Sequence, residues 1–418
     1  LRTAKKYNKI MLEKNPYYNF YSVGEKIFNN KLAAISYWDA NNHSSRIIWN
    51  YYHYDNEMNK LNYTIEPSES LQELYLHRAK KLREEYQYLI LFYSGGHDSN
   101  QILETFFLNN IFVDEVCIWT HSKKINNPDQ ILSIIPDCFE PELSAIPEVQ
   151  YYVERYSPHT KITVIENFEE VYQKYWINFN FQSNVMDKFI KSSSPGILNK
   201  FTPRTKDLTL LNPNWQTILE KQKTCFIFGK EKVRIGHDKL GFYIRAYDND
   251  VVDHVDIHMP LSIKEQPYYV ELFYNHPFHV KIHLKQAYVI VNSVPKIKLV
   301  DYLRTGTRRN EDFIASLIYQ RKYKRIYSGL KYNDLPYWVE KNKIKSTYII
   351  DSYDANNSFF LKANNQALRN YILYNKILQR IFFKDFKPLT NHQEYSYLIN
   401  HYRKICINKN IYRIKMNE

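Results

Sequence analysis

Residues 88–110 read YLILFYSGGHDSNQILETFFLNN, and three patterns follow one another there without a break. Tyr88 to Tyr93 is a short, continuous apolar run, as expected of a strand buried on both faces of a parallel sheet. Ser94-Gly95-Gly96-His97-Asp98-Ser99 follows at once as a turn, and Asn100 to Leu108 opens an apolar helix. A strand that turns in this way into a helix aims backbone N–H groups and the positive helix end at one point, which makes an anion cradle. Gly95 and Gly96 allow a tight turn and the close approach of a phosphate, while the hydroxyls of Ser94 and Ser99 can donate to its oxygens. Asp98 then fits as a ligand of Mg²⁺ on the same phosphates, because a bare carboxylate would repel them.

Working outward, the apolar runs at 113–120 (VDEVCIWT) and 160–167 (TKITVIEN) predict further strands of the same sheet, with a helical or irregular segment at 141–154 between them. Upstream, SESLQELYLHRAKKLREEY (68–86) has helix periodicity. Leu71, Leu74, Leu76, Ala79 and Leu82 form the apolar stripe with one position displaced, and Ser68 or Ser70 is the cap. Downstream, WQTILEKQKTCFIFGKEKVRIG (215–236) predicts a helix feeding a strand at 224–228. If that strand is parallel, Gly229, Lys230, Lys232 and Arg234 fall at its carboxyl end, where open α/β sheets bind ligands. A solvated basic turn is the other reading of that cluster. Residues 241–260 look strand-like, 279–294 helical, and 300–418 partly helical. The fold class is therefore α/β, a doubly wound and mostly parallel sheet in residues 68–290. Accessory regions flank it at 1–67, read as strands and loops, and at 291–418.

The chain has 418 residues, 44% of them hydrophobic and 24% charged, a globular balance with no long charge-free apolar stretch. A membrane partner is not expected. The 57 Lys and Arg against 44 Asp and Glu give a formal charge of +13, which favours polyanionic company such as nucleotides or nucleic acid. Tyr is abundant, at 38 residues, while Gly is scarce, at 9; an A+T-rich coding sequence accounts for that, so the tyrosines are read as core and sheet residues. Cys117, Cys138, Cys225 and Cys406 form no CxxC pair, and residues 1–14 lack an apolar signal core. The expected compartment is reducing and cytoplasmic.

SGGHDS resembles the pyrophosphate loop (PP-loop) of the N-type ATP pyrophosphatase superfamily, which includes asparagine, argininosuccinate and GMP synthetases and tRNA-modifying enzymes. The resemblance implies an adenine nucleotide alpha hydrolase-like fold. It implies too that Ser94, Gly95, Gly96, Asp98 and Ser99 grip the β and γ phosphates of ATP, with His97 at the variable position. The stretches LYLHRAKKLREEYQYLILFYSGGHDS, FIFGKEKVRIG and ELFYNHPFHVKIHLKQAYVI look similar to asparagine-synthetase-like proteins encoded by bacteriophages, across about residues 65–290. The chain departs from glutamine-dependent asparagine synthetases in having no cysteine before Cys117, hence no glutaminase nucleophile ahead of the loop. It departs from sulfur-transferring enzymes in lacking paired cysteines, although Cys117 and Cys225 lie in predicted strands that can approach one another.

The resemblance implies a Mg²⁺-dependent ATP pyrophosphatase. An acceptor oxygen, of a small carboxylate or amide or of a nucleobase in nucleotide or nucleic-acid form, attacks the α phosphorus and yields an adenylate and pyrophosphate. Lys230, Lys232 and Arg234 are the candidate catalytic cations, beside Asp98. No GxxxxGK[ST] is present, so a Walker-type ATPase is excluded as the default. The alternative is a virion or host-interaction protein that keeps the loop fold without catalysis, in the host cytoplasm or the virion. Two further patterns are candidate metal sites, His254, Asp256 and His258 on one face of a strand, and His279 with His283 on one face of a helix. Basic–aromatic runs at 304–310 and 319–332 are candidates for nucleic-acid contact. The tail HYRKICINKNIYRIK (401–415) reads as a terminal strand.

Overall fold

The computed structural model describes residues 16–28, 34, 37–38, 40–41, 45–119, 145–165, 212–229, 232–246, 268–305, 314–315, 317–319, 406–408 and 410–415. At its centre is a five-stranded, all-parallel sheet built from β4 (Tyr88–Phe92), β5 (Glu115–Trp119), β6 (Lys161–Ile165), β7 (Thr224–Phe228) and β10 (Tyr268–Leu272). Its spatial order is β10-β7-β4-β5-β6. The chain thus starts at the middle strand, winds one way through β5 and β6, then returns to lay β7 and β10 on the other side. That is the 3-2-1-4-5 order of a Rossmann-like sheet, and its switch point is the gap between β4 and β7.

The sequence reasons for this sheet are plain. Leu89 to Phe92 and all of β7 are buried, which only residues such as LILF and TCFIF tolerate in a strand covered on both faces. Helix α2 (Leu71–Glu85) starts at Ser70 in a capping box: the Ser70 hydroxyl accepts the Glu73 N–H at 3.2 Å, and the Glu73 carboxylate accepts the Ser70 N–H at 2.7 Å. Its buried face loses one residue of the predicted stripe and gains two. Tyr75 and Arg78 are buried and Leu76 is not, because Arg78 has a carboxylate partner inside. Helix α3 (His97–Phe107) follows β4, α4 (Ile146–Tyr156) precedes β6, and α5 (Asn214–Lys221) precedes β7.

Two smaller sheets stand beside the main one. The N-terminal segment forms β1 (Asn19–Val23), β2 (Lys26–Phe28) and β3 (Ile47–Tyr51), joined by β11 (Cys406–Asn408) in the order β11-β3-β1-β2. The expectation of strands and loops for residues 1–67 holds for β1–β3 but is corrected after Tyr51, where the chain becomes helix α1 (Tyr52–Lys60). The buried residues Tyr51, Tyr54, Asp55 and Met58 recur at helical spacing, and the Asp55 carboxylate accepts the Tyr51 N–H at 3.2 Å. The third sheet is antiparallel, with β8 (Ile235–Asp238), β9 (Gly241–Ile244) and β12 (Tyr412–Arg413). The carboxyl-terminal tail is strand, as expected, but split between two sheets. It pairs first with β3 and then with β9, where Arg413 forks onto both oxygens of Asp238 at 2.8 Å each.

The remaining helices are α6 (Lys281–Ser293), packed on α2, and α7 (Lys296–Thr305). Cys117 and Cys225 do not approach: β4 lies between their strands, with Cys117 opposite Phe92 and Cys225 opposite Leu89. Two strand spacings and a three-residue offset put them roughly 14 Å apart, beyond disulfide reach.

Candidate functional site

β4, β7 and β10 end flush: Phe92, Phe228 and Leu272 are partners in one register. The segments leaving β4 and β7 therefore emerge side by side at the switch point. Phe92 and Phe228 stack at 4.5 Å and close the floor beneath them. Above this floor sits the SGGHDS loop. Gly95 has φ +77°, a left-handed backbone that a side chain would strain. Gly96 caps α3 in extended conformation and its carbonyl accepts the Asn100 N–H at 3.0 Å.

The two serines fasten the loop to the helix. Ser99 Oγ accepts the Ser94 N–H at 3.2 Å and lies 3.2 Å from Ser94 Oγ, which in turn accepts the Gly96 N–H at 3.3 Å. Ser94 is exposed, Gly96, His97 and Asp98 are half-buried, and Ser99 is buried. The loop thus opens to solvent on the side where the first turn of α3 directs its amides. Behind it the Tyr93 hydroxyl donates to Asn100 Oδ1 at 2.9 Å.

The opposite wall is the exit of β7. A Cβ on Gly229 would lie 3.0 Å from both the amide nitrogen and the Cα of Ser99, so this position admits no side chain without moving the start of α3. Beyond it Lys232 turns back toward the loop and places Nζ 3.9 Å from Asp98 Oδ1, with both side chains about a quarter to a third exposed. That is a charge facing a charge across a gap, outside hydrogen-bond range. Arg234 is exposed just ahead of β8, and its carbonyl accepts the Arg245 N–H at 3.3 Å. Lys230 lies outside the described residues.

Several contributors were invisible to sequence reasoning. The Tyr274 hydroxyl donates to the Asp98 carbonyl at 2.7 Å, fixing the backbone from which the carboxylate projects. Tyr319 stacks obliquely on Tyr274 at 5.4 Å. Burial first, and then the Asp98 charge, push its phenol well above the usual tyrosine range. The Tyr75 phenol rises too, chiefly from burial, with Asp98 a further cause. Nothing local marks these tyrosines among the chain's 38.

Other predicted sites fare differently. His279 closes a 3₁₀ turn (Pro277–His279), whereas His283 belongs to α6 and meets the Tyr54 hydroxyl at 3.0 Å. The two therefore share no helix face, because Pro277 starts a separate turn. No group of three or more His, Cys, Asp or Glu side chains suited to a metal occurs among the described residues. Residues 254–258, 306–313 and 320–332 lie outside the described residues, so the histidine–aspartate strand and most of the basic–aromatic runs do too. No described helix is long and apolar enough to cross a membrane. In comparison with known proteins, no family model matches the chain, and neither a curated protein nor a solved structure does.

Proposed function

We propose that the chain is a Mg²⁺-dependent ATP pyrophosphatase with an adenine nucleotide alpha hydrolase-like domain, which adenylates an acceptor and releases AMP and pyrophosphate. The observation that carries this reading is the opposition of the SGGHDS loop and Lys232 across the switch point of a 3-2-1-4-5 parallel sheet. In this reading the loop amides, Ser94 and Ser99 hold the β and γ phosphates in the opening above Phe92 and Phe228. Lys232, with Lys230 and Arg234 on the same segment, balances the charge that gathers on the leaving pyrophosphate.

The donor set suits Mg²⁺. Hard oxygen from one half-open carboxylate, Asp98, together with serine hydroxyls beside a phosphate cradle, matches an ion that prefers one or two carboxylates plus phosphate oxygens. Mg²⁺ held there would draw electron density from the phosphate oxygens. Asp98 would orient toward it, and Lys232 would move its attention from the carboxylate to the phosphates. The acceptor is a small carboxylate or amide, or a nucleobase as nucleotide or nucleic acid, the last being favoured by the formal charge of +13. A cytoplasmic setting, in an infected host if the chain is viral, goes with this reading. The exposure of Ser94 and the partial exposure of Asp98 favour it over an inert loop buried in a virion or host-protein interface.

The test is product analysis with α-labelled ATP and Mg²⁺, with and without an extract of small molecules and nucleic acids, beside Asp98→Ala. AMP that requires both the extract and Asp98, with no ADP, is the expected outcome. Folded protein that neither binds ATP nor forms AMP would sink the reading and leave the interaction role.

A further inference from the structure

A buried polar relay lies behind the crevice: it starts on one wall, at Val233, and an aromatic contact between Tyr75 and Tyr274 joins it to the other. Gln286, on α6, is fully buried. Its side-chain oxygen accepts the backbone N–H of Val233 at 3.0 Å, and its amide nitrogen donates to the Tyr75 hydroxyl at 2.8 Å. The amide can only be oriented this way, since a backbone N–H needs an acceptor. Tyr75 must then pass its own proton onward, and it donates to the Ile318 carbonyl at 3.2 Å. Its ring also meets Tyr274 edge-on at 5.5 Å, and Tyr274 is the residue that holds the Asp98 carbonyl.

Val233 directly follows Lys232, in the irregular stretch between β7 and β8. A strand would bond such an amide to a neighbouring strand; here a helix side chain does so instead. A buried amide side chain costs stability unless its groups are bonded, and both ends of Gln286 are. A leucine would fill the same space with no such demand, so the geometry calls for a role that leucine cannot fill.

We infer that Gln286 is a positioning residue for the polyphosphate site: by fixing the Val233 amide it sets the reach of Lys232 toward Asp98 and toward phosphates bound beside it. The inference rests on the function proposed above. Losing one buried hydrogen bond of this kind should cost about tenfold in affinity if it is transmitted in full to Lys232.

The probe is pyrophosphate with Mg²⁺, titrated by calorimetry into the full chain and into Asp98→Ala, Lys232→Met, Gln286→Met and the double variants that join Lys232→Met to Gln286→Met or to Tyr75→Phe. Tyr75→Phe, which removes only the hydroxyl that orients Gln286, serves if Gln286→Met does not fold. Expected are about tenfold weaker binding for Gln286→Met, a smaller loss for Tyr75→Phe, and no further loss from either change once Lys232 is methionine. That non-additivity separates positioning from general destabilisation, which would weaken binding equally in both backgrounds. Additive losses, or undiminished binding by folded Gln286→Met, would overturn the inference while leaving the site intact, provided that Asp98→Ala weakens binding. A wild-type chain that binds no pyrophosphate would overturn both.

Discussion

Glu271, near the carboxyl end of β10, and Asp98, in the first turn of α3 after β4, are carboxylates at the same edge of the parallel sheet, and their surroundings are opposite. Glu271 is buried, and its oxygens accept from Tyr17 at 2.8 Å, Arg78 at 2.8 Å and Tyr86 at 2.7 Å, with His276 Nε2 at 3.3 Å. It ties the N-terminal segment, α2 and the turn after β10 into one cluster. Asp98 is a third exposed and faces a lysine across 3.9 Å. A carboxylate ringed by fixed donors holds a fold together, whereas one that stands beside a part-exposed lysine, outside hydrogen-bond range, is placed to take part in binding. The phenols of Tyr17 and Tyr86 are both pushed well up, by burial first and by the Glu271 charge second.

The largest effect should come from the closed cluster. Arg78→Leu leaves Glu271 charged and buried without its cation, which costs about 3–5 kcal/mol. Asp98→Ala should leave stability within about 0.5 kcal/mol, as for other part-exposed positions. Urea unfolding of both variants checks the contrast. Comparable losses would mean that Asp98 is also structural, and the comparison would fail.

Next in size is Gly229→Ala. The added methyl must push the start of α3 away from β7, an overpacking cost of about 1–3 kcal/mol. It should also weaken Mg²⁺–pyrophosphate binding, because the carbon it strikes belongs to Ser99. Unchanged stability with unchanged binding would show that the two walls of the crevice are free to separate, and would take the rigidity out of the site.

The closed cluster should also be sensitive to acid. His276 Nδ1 accepts the Phe278 N–H at 3.2 Å, so that nitrogen carries no proton, and Nε2 faces Glu271 as the donor of a neutral ring. Burial, and then Arg78, hold its pKa well below the usual 6.5; the same two causes bring His279 down to about 2. Folded pKa values below the unfolded one mean that stability is complete above about pH 6.5 and falls as the pH drops toward the folded values. Each such histidine contributes at most about 1.4 kcal/mol per pH unit in that window. Denaturation between pH 7 and 5 should show this slope, and His276→Asn should flatten it.

How far the sequence reached follows from how local each signal is. The strand at 224–228, the β4–loop–α3 unit and the helix at 281–293 announce themselves by runs and periods within a dozen residues. Ser94, Gly95, Gly96, Asp98 and Ser99 were legible as a set for the same reason, and Lys232 was legible as part of a basic turn. What stayed hidden depends on partners distant in the chain. Arg78 enters the core because Glu271 awaits it, β11 and β12 find β3 and β9 across more than 160 residues, and Gln286 looks like any polar residue in a helix until Val233 is beside it. The turn into α1 was missed because Tyr51 and Tyr52 suit either strand or helix, and only Asp55, reaching back to the Tyr51 amide, decides.

The smallest effect concerns the outer end of the Lys232 segment. After passing the crevice, that segment becomes β8, whose last residue, Asp238, is gripped by Arg413 of the terminal strand. The Arg413 hydrogen bonds bring the Asp238 pKa down to about 2, so this clasp is intact above the ordinary carboxylate range and loosens only as the pH falls through that value. The pair is solvent-exposed, so Asp238→Asn should leave global unfolding unchanged. It should be felt locally, as faster exchange of the Ile414 amide, which bonds to the Phe242 carbonyl at 3.2 Å. If Mg²⁺–pyrophosphate affinity falls in this variant as well, the position of Lys232 is set from both ends of its segment, by Gln286 on the inside and by the terminal strand on the outside. If affinity holds while the amide exchanges freely, Gln286 alone suffices, and the tail serves only to close the small sheet.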